Sequence, residues 1–295
     1  MSGMTKDLPV VVGVDGSGPS LRAVDWAADE AALRGAPLRL VFASLWERYE
    51  GDALADDLGE PSERTRIDAI METAARRARL RRPEVRVTTD VVPEEPEYTL
   101  LRESRTASLL VTGTRGRSSL TEALVGSVSL TVAAHAHCPM VVVRGSHDNR
   151  ALPAAHGRIV VGVGEGPASA AAVDFAFGEA RRRGAEVEAV RAWRRPAHTT
   201  TDHPLLAGEA SRPHEERAAH GLEAALQDAP DDVRLHRRTV EGHARTVLAG
   251  ASRDADLLIV GARRRPRHFG LQLGRVTHGV LHHSACPVVI VPERE

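Results

Sequence analysis

Gly113-Thr114-Arg115-Gly116-Arg117-Ser118-Ser119, followed ten residues past Gly116 by Gly126-Ser127, is the stretch that decides how this chain is read. Before it, Ser108-Leu109-Leu110-Val111-Thr112 is a short apolar run with the character of a buried strand. After it, Val128 to His137 has the helical spacing of Val128, Leu130 or Thr131, and Ala134. A strand therefore ends in glycine, a basic loop follows, and a Gly-Ser pair opens a helix. Glycine lets a backbone approach a ligand closely. A helix N-terminus offers unpaired N–H groups and partial positive charge, and Ser127 at the cap adds a hydroxyl. The stretch reads as a phosphate cradle. It is not a Walker loop, because no Gly-Lys-Ser/Thr follows at the required spacing.

Working outward, strands alternate with helices. Val10-Val11-Val12-Gly13-Val14-Asp15 is a strand ending in a carboxylate, and Leu21, Val24, Ala27, Ala28 and Ala31 form the apolar face of a helix stopped by Gly35-Ala36-Pro37. Leu38 to Ala43 is a second strand, and an acidic, Gly-containing loop spans Glu47 to Glu60. An Arg-rich helix is expected from Pro61 to Leu80, a strand over Val85–Val92, a helix near Glu97–Ser104, and strands at Leu109–Gly113 and Pro139–Val143. Such alternation predicts a parallel sheet covered on both faces.

Gly145 to Gly157 is polar and reads as a linker, after which the pattern restarts. Ile159-Val160-Val161-Gly162 repeats Val10 to Gly13 at an offset of 149 residues, and Leu257 to Gly261 repeats Leu109 to Gly113 at 148. Ala285-Cys286-Pro287-Val288 likewise repeats His137-Cys138-Pro139-Met140. One domain is duplicated, and this is no array of short repeats.

Composition narrows the functional classes. In 295 residues, 39 basic and 40 acidic side chains leave a net charge of -1, without the basic excess of a nucleic-acid or membrane-surface binder. Two cysteines provide no disulfide framework and fit a reducing compartment. No apolar window is long enough to span a bilayer, and the first residues carry no apolar signal core, so a cytoplasmic protein is expected.

On the Val-Gly-Val-Asp strand, the G-x2-G-x9-G-[S/T] spacing of Gly113, Gly116, Gly126 and Ser127, and the Cys138-Pro139 end strand, the chain resembles the universal stress protein family in its tandem form. The resemblance covers nearly the whole chain. It implies two flavodoxin-like or Rossmann-like α/β domains, each a five-stranded, mostly parallel sheet flanked by helices. The first would span 1–146 and the second, degenerate, 156–295. It further implies binding of ATP or a related adenine nucleotide, with Mg accompanying ATP, a regulatory role in stress response, and a homodimer often formed through the last strand. Neither nucleic acid nor membrane is implied as a partner.

By the same resemblance, Gly13 and Asp15 lie beside the nucleotide and Ala43 meets the adenine through its backbone. Gly113 and Gly116 give close approach, Gly126, Ser127, Val128 and Ser129 hold phosphates, and Arg115, Arg117 and Ser118 belong to the loop around them. Each alone is equally explained by a turn: Asp15 by capping, the glycines by bends. The second half has Gly162, Ala192, Gly261 and Gly274 at corresponding positions, but Arg264 replaces the second glycine, Arg275 replaces Ser127 and Gly164 replaces Asp15. Arg263, Arg264 and Arg265 are candidate anion donors, or equally a solvated face.

No catalytic residue and no metal site is expected. His135, His137, His282 and His283 lack a third ligand at metal-site spacing and suit helix ends. Cys138 and Cys286 suit buried positions better than nucleophilic ones. The competing readings are a slow ATPase or nucleotidyl-transferring enzyme of the same fold, for which Asp15 is the placed acid, and a scaffold whose site is vestigial.

Overall fold

The computed structural model describes residues 8–45, 63–114, 125–144, 156–194, 212–262 and 273–293. Its contacts divide the chain into two compact units, Met1–Ala151 and Leu152–Glu295.

In the first unit the described elements are β1 (Val10–Gly13), α1 (Gly18–Arg34), β2 (Leu38–Ala43), α2 (Glu63–Arg81), β3 (Val87–Val92), α3 (Pro96–Glu103), β4 (Leu109–Gly113), α4 (Ser127–His135) and β5 (Met140–Val143). The strands stand in the order β3-β2-β1-β4-β5 and pair in parallel throughout. Val10–Val12, Leu109–Val111 and Met140–Val142 are fully buried, so the three strands are covered on both faces, as their unbroken apolar runs require. α1 packs with α2, and α3 with α4.

Local chemistry sets the boundaries. Ser17 caps α1, its side chain accepting from the Ser20 N–H, and Gly35 closes the helix in a left-handed conformation (φ 60°). Val85 stays outside β3: its N–H turns back to the Arg82 carbonyl at 3.1 Å, so the strand starts at Val87, two residues later than its β-branched composition predicts. Gly126, not Ser127, is the N-cap of α4; it has no side chain to cap with, and Ser127 is the first helical residue.

The second unit contains β6 (Arg158–Gly162), α5 (Pro167–Arg183), β7 (Glu186–Trp193), α6 (Arg212–Ala225), β8 (Leu235–Glu241), α7 (Ala244–Ala251), β9 (Leu257–Ala262), α8 (Arg275–His283) and β10 (Val288–Pro292). Its strand order, β8-β7-β6-β9-β10, is again parallel throughout. The duplication extends to buried detail. Glu30 and Glu179 are each 1% exposed and take an arginine four residues on, Arg34 at 2.6 Å and Arg183 at 3.3 Å. Ser104 and Ser252 each accept the N–H of the residue preceding the buried cysteine, His137 at 3.0 Å and Ala285 at 2.9 Å.

Candidate functional site

In a parallel sheet of this order, connections from β1 and β4 leave toward opposite faces, and the crevice between their carboxyl ends is where ligands sit. Asp15 follows β1 and Gly113 ends β4, so both lie on that rim.

A cavity of about 120 Å³ opens there. Its apolar wall is Val41 and Ala43 of β2 with Pro96 and Leu100 of α3; its floor includes Gly13, where an added Cβ would stand 3.2 Å from Leu100 Cδ1. Val14, Asp15, Ser20, Thr112, Gly113, Val128 and Ser129 supply the rest. Asp15 Oδ1 accepts from the Ser17 N–H at 2.9 Å and the Ser17 hydroxyl at 2.6 Å, so one oxygen organises the turn. Among the described residues Oδ2 has no partner. The turn reading and the ligand reading of Asp15 therefore use different oxygens.

Beyond β4, the Ser129 hydroxyl donates to the Gly113 carbonyl at 2.9 Å, tying the start of α4 to the strand end. The Gly126 N–H donates to the Thr114 carbonyl at 2.7 Å, bringing the two ends of the intervening loop together. With a glycine N-cap, the first-turn amides of α4 receive no side-chain cap. Val128 and Ser129 reach the cavity wall; Gly126 and the exposed Ser127 stand just outside it. Arg115, Gly116, Arg117 and Ser118 lie outside the described residues.

Gly113 is glycine for a reason other than ligand approach. An added Cβ would come within 2.7 Å of the Pro19 carbonyl carbon and oxygen, so the strand end abuts the start of α1 directly. Gly261 is tighter still, 2.1 Å from the Ala168 carbonyl oxygen.

The corresponding cavity of the second unit is larger, about 410 Å³, and includes Gly162, Gly164, Ala192, Gly261, Val276 and Thr277. Arg191, also in its wall, donates to the Gly164 carbonyl at 2.9 Å and to Glu165 Oε1 at 2.9 Å, so a cation held by backbone and carboxylate lies where the first unit has Phe42. Gly274 is the N-cap of α8 and Arg275 its exposed first residue, neither in the cavity wall; Arg263, Arg264 and Arg265 lie outside the described residues.

The other candidates resolve into structural contacts. The His135 ring bonds the Thr131 carbonyl at 2.9 Å, at the C-terminal end of α4. Burial pushes the Cys138 and Cys286 thiols up to about 12. Among the described residues, no group of three or more His, Cys, Asp or Glu is placed to hold a metal ion, and no helix is long and apolar enough to cross a membrane.

Sequence reasoning did not single out Thr112, Ser20 or Arg191. Thr112 had a signal: it is a polar residue within an otherwise apolar strand, and its repeat position holds Val260. Arg191 replaces an aromatic residue within a β-strand, which comparison of the two halves also exposes.

The model of the universal stress protein family matches residues 8–144 and again 156–292. A universal stress protein of Mycobacterium tuberculosis (strain ATCC 25618 / H37Rv) is 31% identical over an alignment of 305 residues covering 98% of this chain and 99% of that one. Another, from Mycolicibacterium smegmatis, is 31% identical with 97% of each chain covered. The crystal structure of a universal stress protein from Archaeoglobus fulgidus DSM 4304 has the same fold, with a TM-score of 0.69 at 15% identity over 98% of this chain and 97% of that one.

Proposed function

Both halves of this chain belong to the universal stress protein family, and on that premise we propose that the first half binds an adenine nucleotide, ATP with its Mg2+, as the regulatory ligand of a stress response. The observation that carries this is the cavity between the ends of β1 and β4, where Asp15 keeps one carboxylate oxygen unspent beside the uncapped start of α4. Its apolar side, Val41, Ala43, Pro96 and Leu100, suits a flat base. The phosphates would run toward the α4 amides, where the helix end favours negative charge. The Asp15 Oδ2 atom, not used by the Ser17 turn, would orient a hydrated Mg2+.

We assign the nucleotide domain to 1–146 and a degenerate partner domain to 156–295, the chain acting as a cytoplasmic homodimer. The second half offers neither a carboxylate at Gly164 nor a hydroxyl at Arg275, and its cavity cation is already paired. The function is binding, and no general base is assigned.

The test is the small molecule that leaves the purified protein on denaturation, identified by chromatography, together with calorimetry on nucleotide-free protein. Bound adenine nucleotide, and weaker ATP binding by Asp15→Ala and Gly116→Arg, are expected. A protein that neither carries nor takes up an adenine nucleotide would refute the proposal.

A further inference from the structure

Among the described residues, the Thr112 hydroxyl is a buried polar group without a partner. Thr112 is 5% exposed, lines the first-half cavity, and its Oγ1 makes no hydrogen bond among the described residues. Buried hydroxyls are almost always bonded, because an unpaired one sacrifices its hydrogen bonds to water for nothing in return.

The duplicated half supplies an internal control. Val260 occupies the position of Thr112, at 4% exposure, and lines the equivalent cavity. The two side chains pack alike: Thr112 Cγ2 lies 3.7 Å from where a Cβ on Gly13 would stand, and Val260 Cγ1 lies 3.4 Å from the same point on Gly162. Valine and threonine share a shape, so this strand position can be filled, and the fold completed, without the hydroxyl. Folding therefore does not account for the oxygen in the first half.

We infer that the Thr112 hydroxyl is a ligand-binding group of the first-half cavity, hydrogen-bonding the nucleoside part of its ligand. This rests on the nucleotide reading above and adds to it a contact residue and one reason the two halves select differently. Thr112 shares the cavity wall with Val41, Ala43 and Leu100, the surfaces offered to a base. A hydroxyl both donates and accepts, so it suits a base edge or a sugar hydroxyl equally. The second half, with Val260, has no equivalent group.

Calorimetry of nucleotide-free full-length protein with ATP and with AMP, alongside thermal unfolding without ligand, tests this. Thr112→Val should weaken ATP and AMP by the same factor, about tenfold, the usual cost of leaving a ligand polar group unpaired. Its unfolding temperature without ligand should be unchanged or higher, since an unpaired buried hydroxyl is removed, and Thr112→Ser should keep most of the affinity. Equal affinity in wild type and Thr112→Val overturns the inference while leaving the nucleotide site standing. So does a loss confined to ATP, which would place the contact on the phosphates. A Thr112→Val chain that is less stable or fails to fold also overturns it, because the hydroxyl would then be structural. If the wild-type protein binds neither nucleotide, the nucleotide reading itself fails and this inference falls with it.

Discussion

Gly113 and Gly261 show how a single missing side chain fixes the contact between a strand end and a helix start. A methyl group at either would enter the carbonyl of Pro19 or Ala168, and the obstacle is backbone that cannot swing aside. Gly113→Ala and Gly261→Ala should each cost about 1–3 kcal/mol, read as a lower urea midpoint, with Gly261→Ala the worse of the two. Equal stability of both variants with wild type would contradict the packing account. The two cysteines make a different residue-scale prediction. Burial holds both thiols neutral up to about 12, whereas an unfolded thiol titrates near ~8.5. Between those values the native state holds protons the unfolded state has lost, so this contribution to stability is full below ~8.5 and fades as pH rises toward 12. At mildly alkaline pH the native protein should react slowly with a thiol reagent, and both cysteines quickly once denatured; fast native reaction would refute their burial.

Among the elements, α1 and α2 are held by charge as well as by apolar packing. Asp25 and Asp29 of α1 are 6% and 7% exposed; Arg77 forms a two-point pair with Asp25, and Arg81 and Arg82 both reach Asp29 at 2.7 Å. Removing Arg77 strands the buried Asp25 carboxylate, whereas Asp29 would keep a second arginine. Arg77→Ala should therefore cost about 1–3 kcal/mol, at the lower end because the Arg77 side chain is 45% exposed. Denaturant unfolding checks the figure, and a neutral outcome would make the pair ornamental. Here the sequence was partly legible. Apolar periodicity disclosed the helices and strands, since period 3.6 and unbroken β-branched runs survive in any tertiary setting. The sequence showed α2 only as Arg-rich and gave its arginines no partners, because those lie 52 residues away along the chain. The α4 cap and the start of β3 shifted by one and two residues for a similar reason: backbone bonds, which residue types do not specify, decided them.

At the scale of the whole molecule, one chain carries two copies of a sheet, and among the described residues only the first has a carboxylate at the Asp15 position and a hydroxyl at the Thr112 position, where the second has Gly164 and Val260. Calorimetry should thus give close to one equivalent of ATP per chain, and Asp15→Ala should weaken that binding without exposing a second class of sites. Two equivalents of similar affinity would show the second cavity to be a working site. The rim was readable in advance, because Asp15 follows β1, Gly113 ends β4, and topology alone puts neighbouring strand ends together. Thr112 and Arg191 stood out only as differences between the halves, since whether a hydroxyl is left over or an arginine is spoken for depends on packing that only coordinates reveal. The retained Gly261 carries a lesson for comparing such chains. The second copy, with Arg264 and Arg275 in place of Gly116 and Ser127, still possesses its opening glycine, because losing it would push Ala168 out of place. A pattern search that credits that position is scoring architecture as though it were recognition, and an eroded duplicate will go on displaying it for as long as it folds.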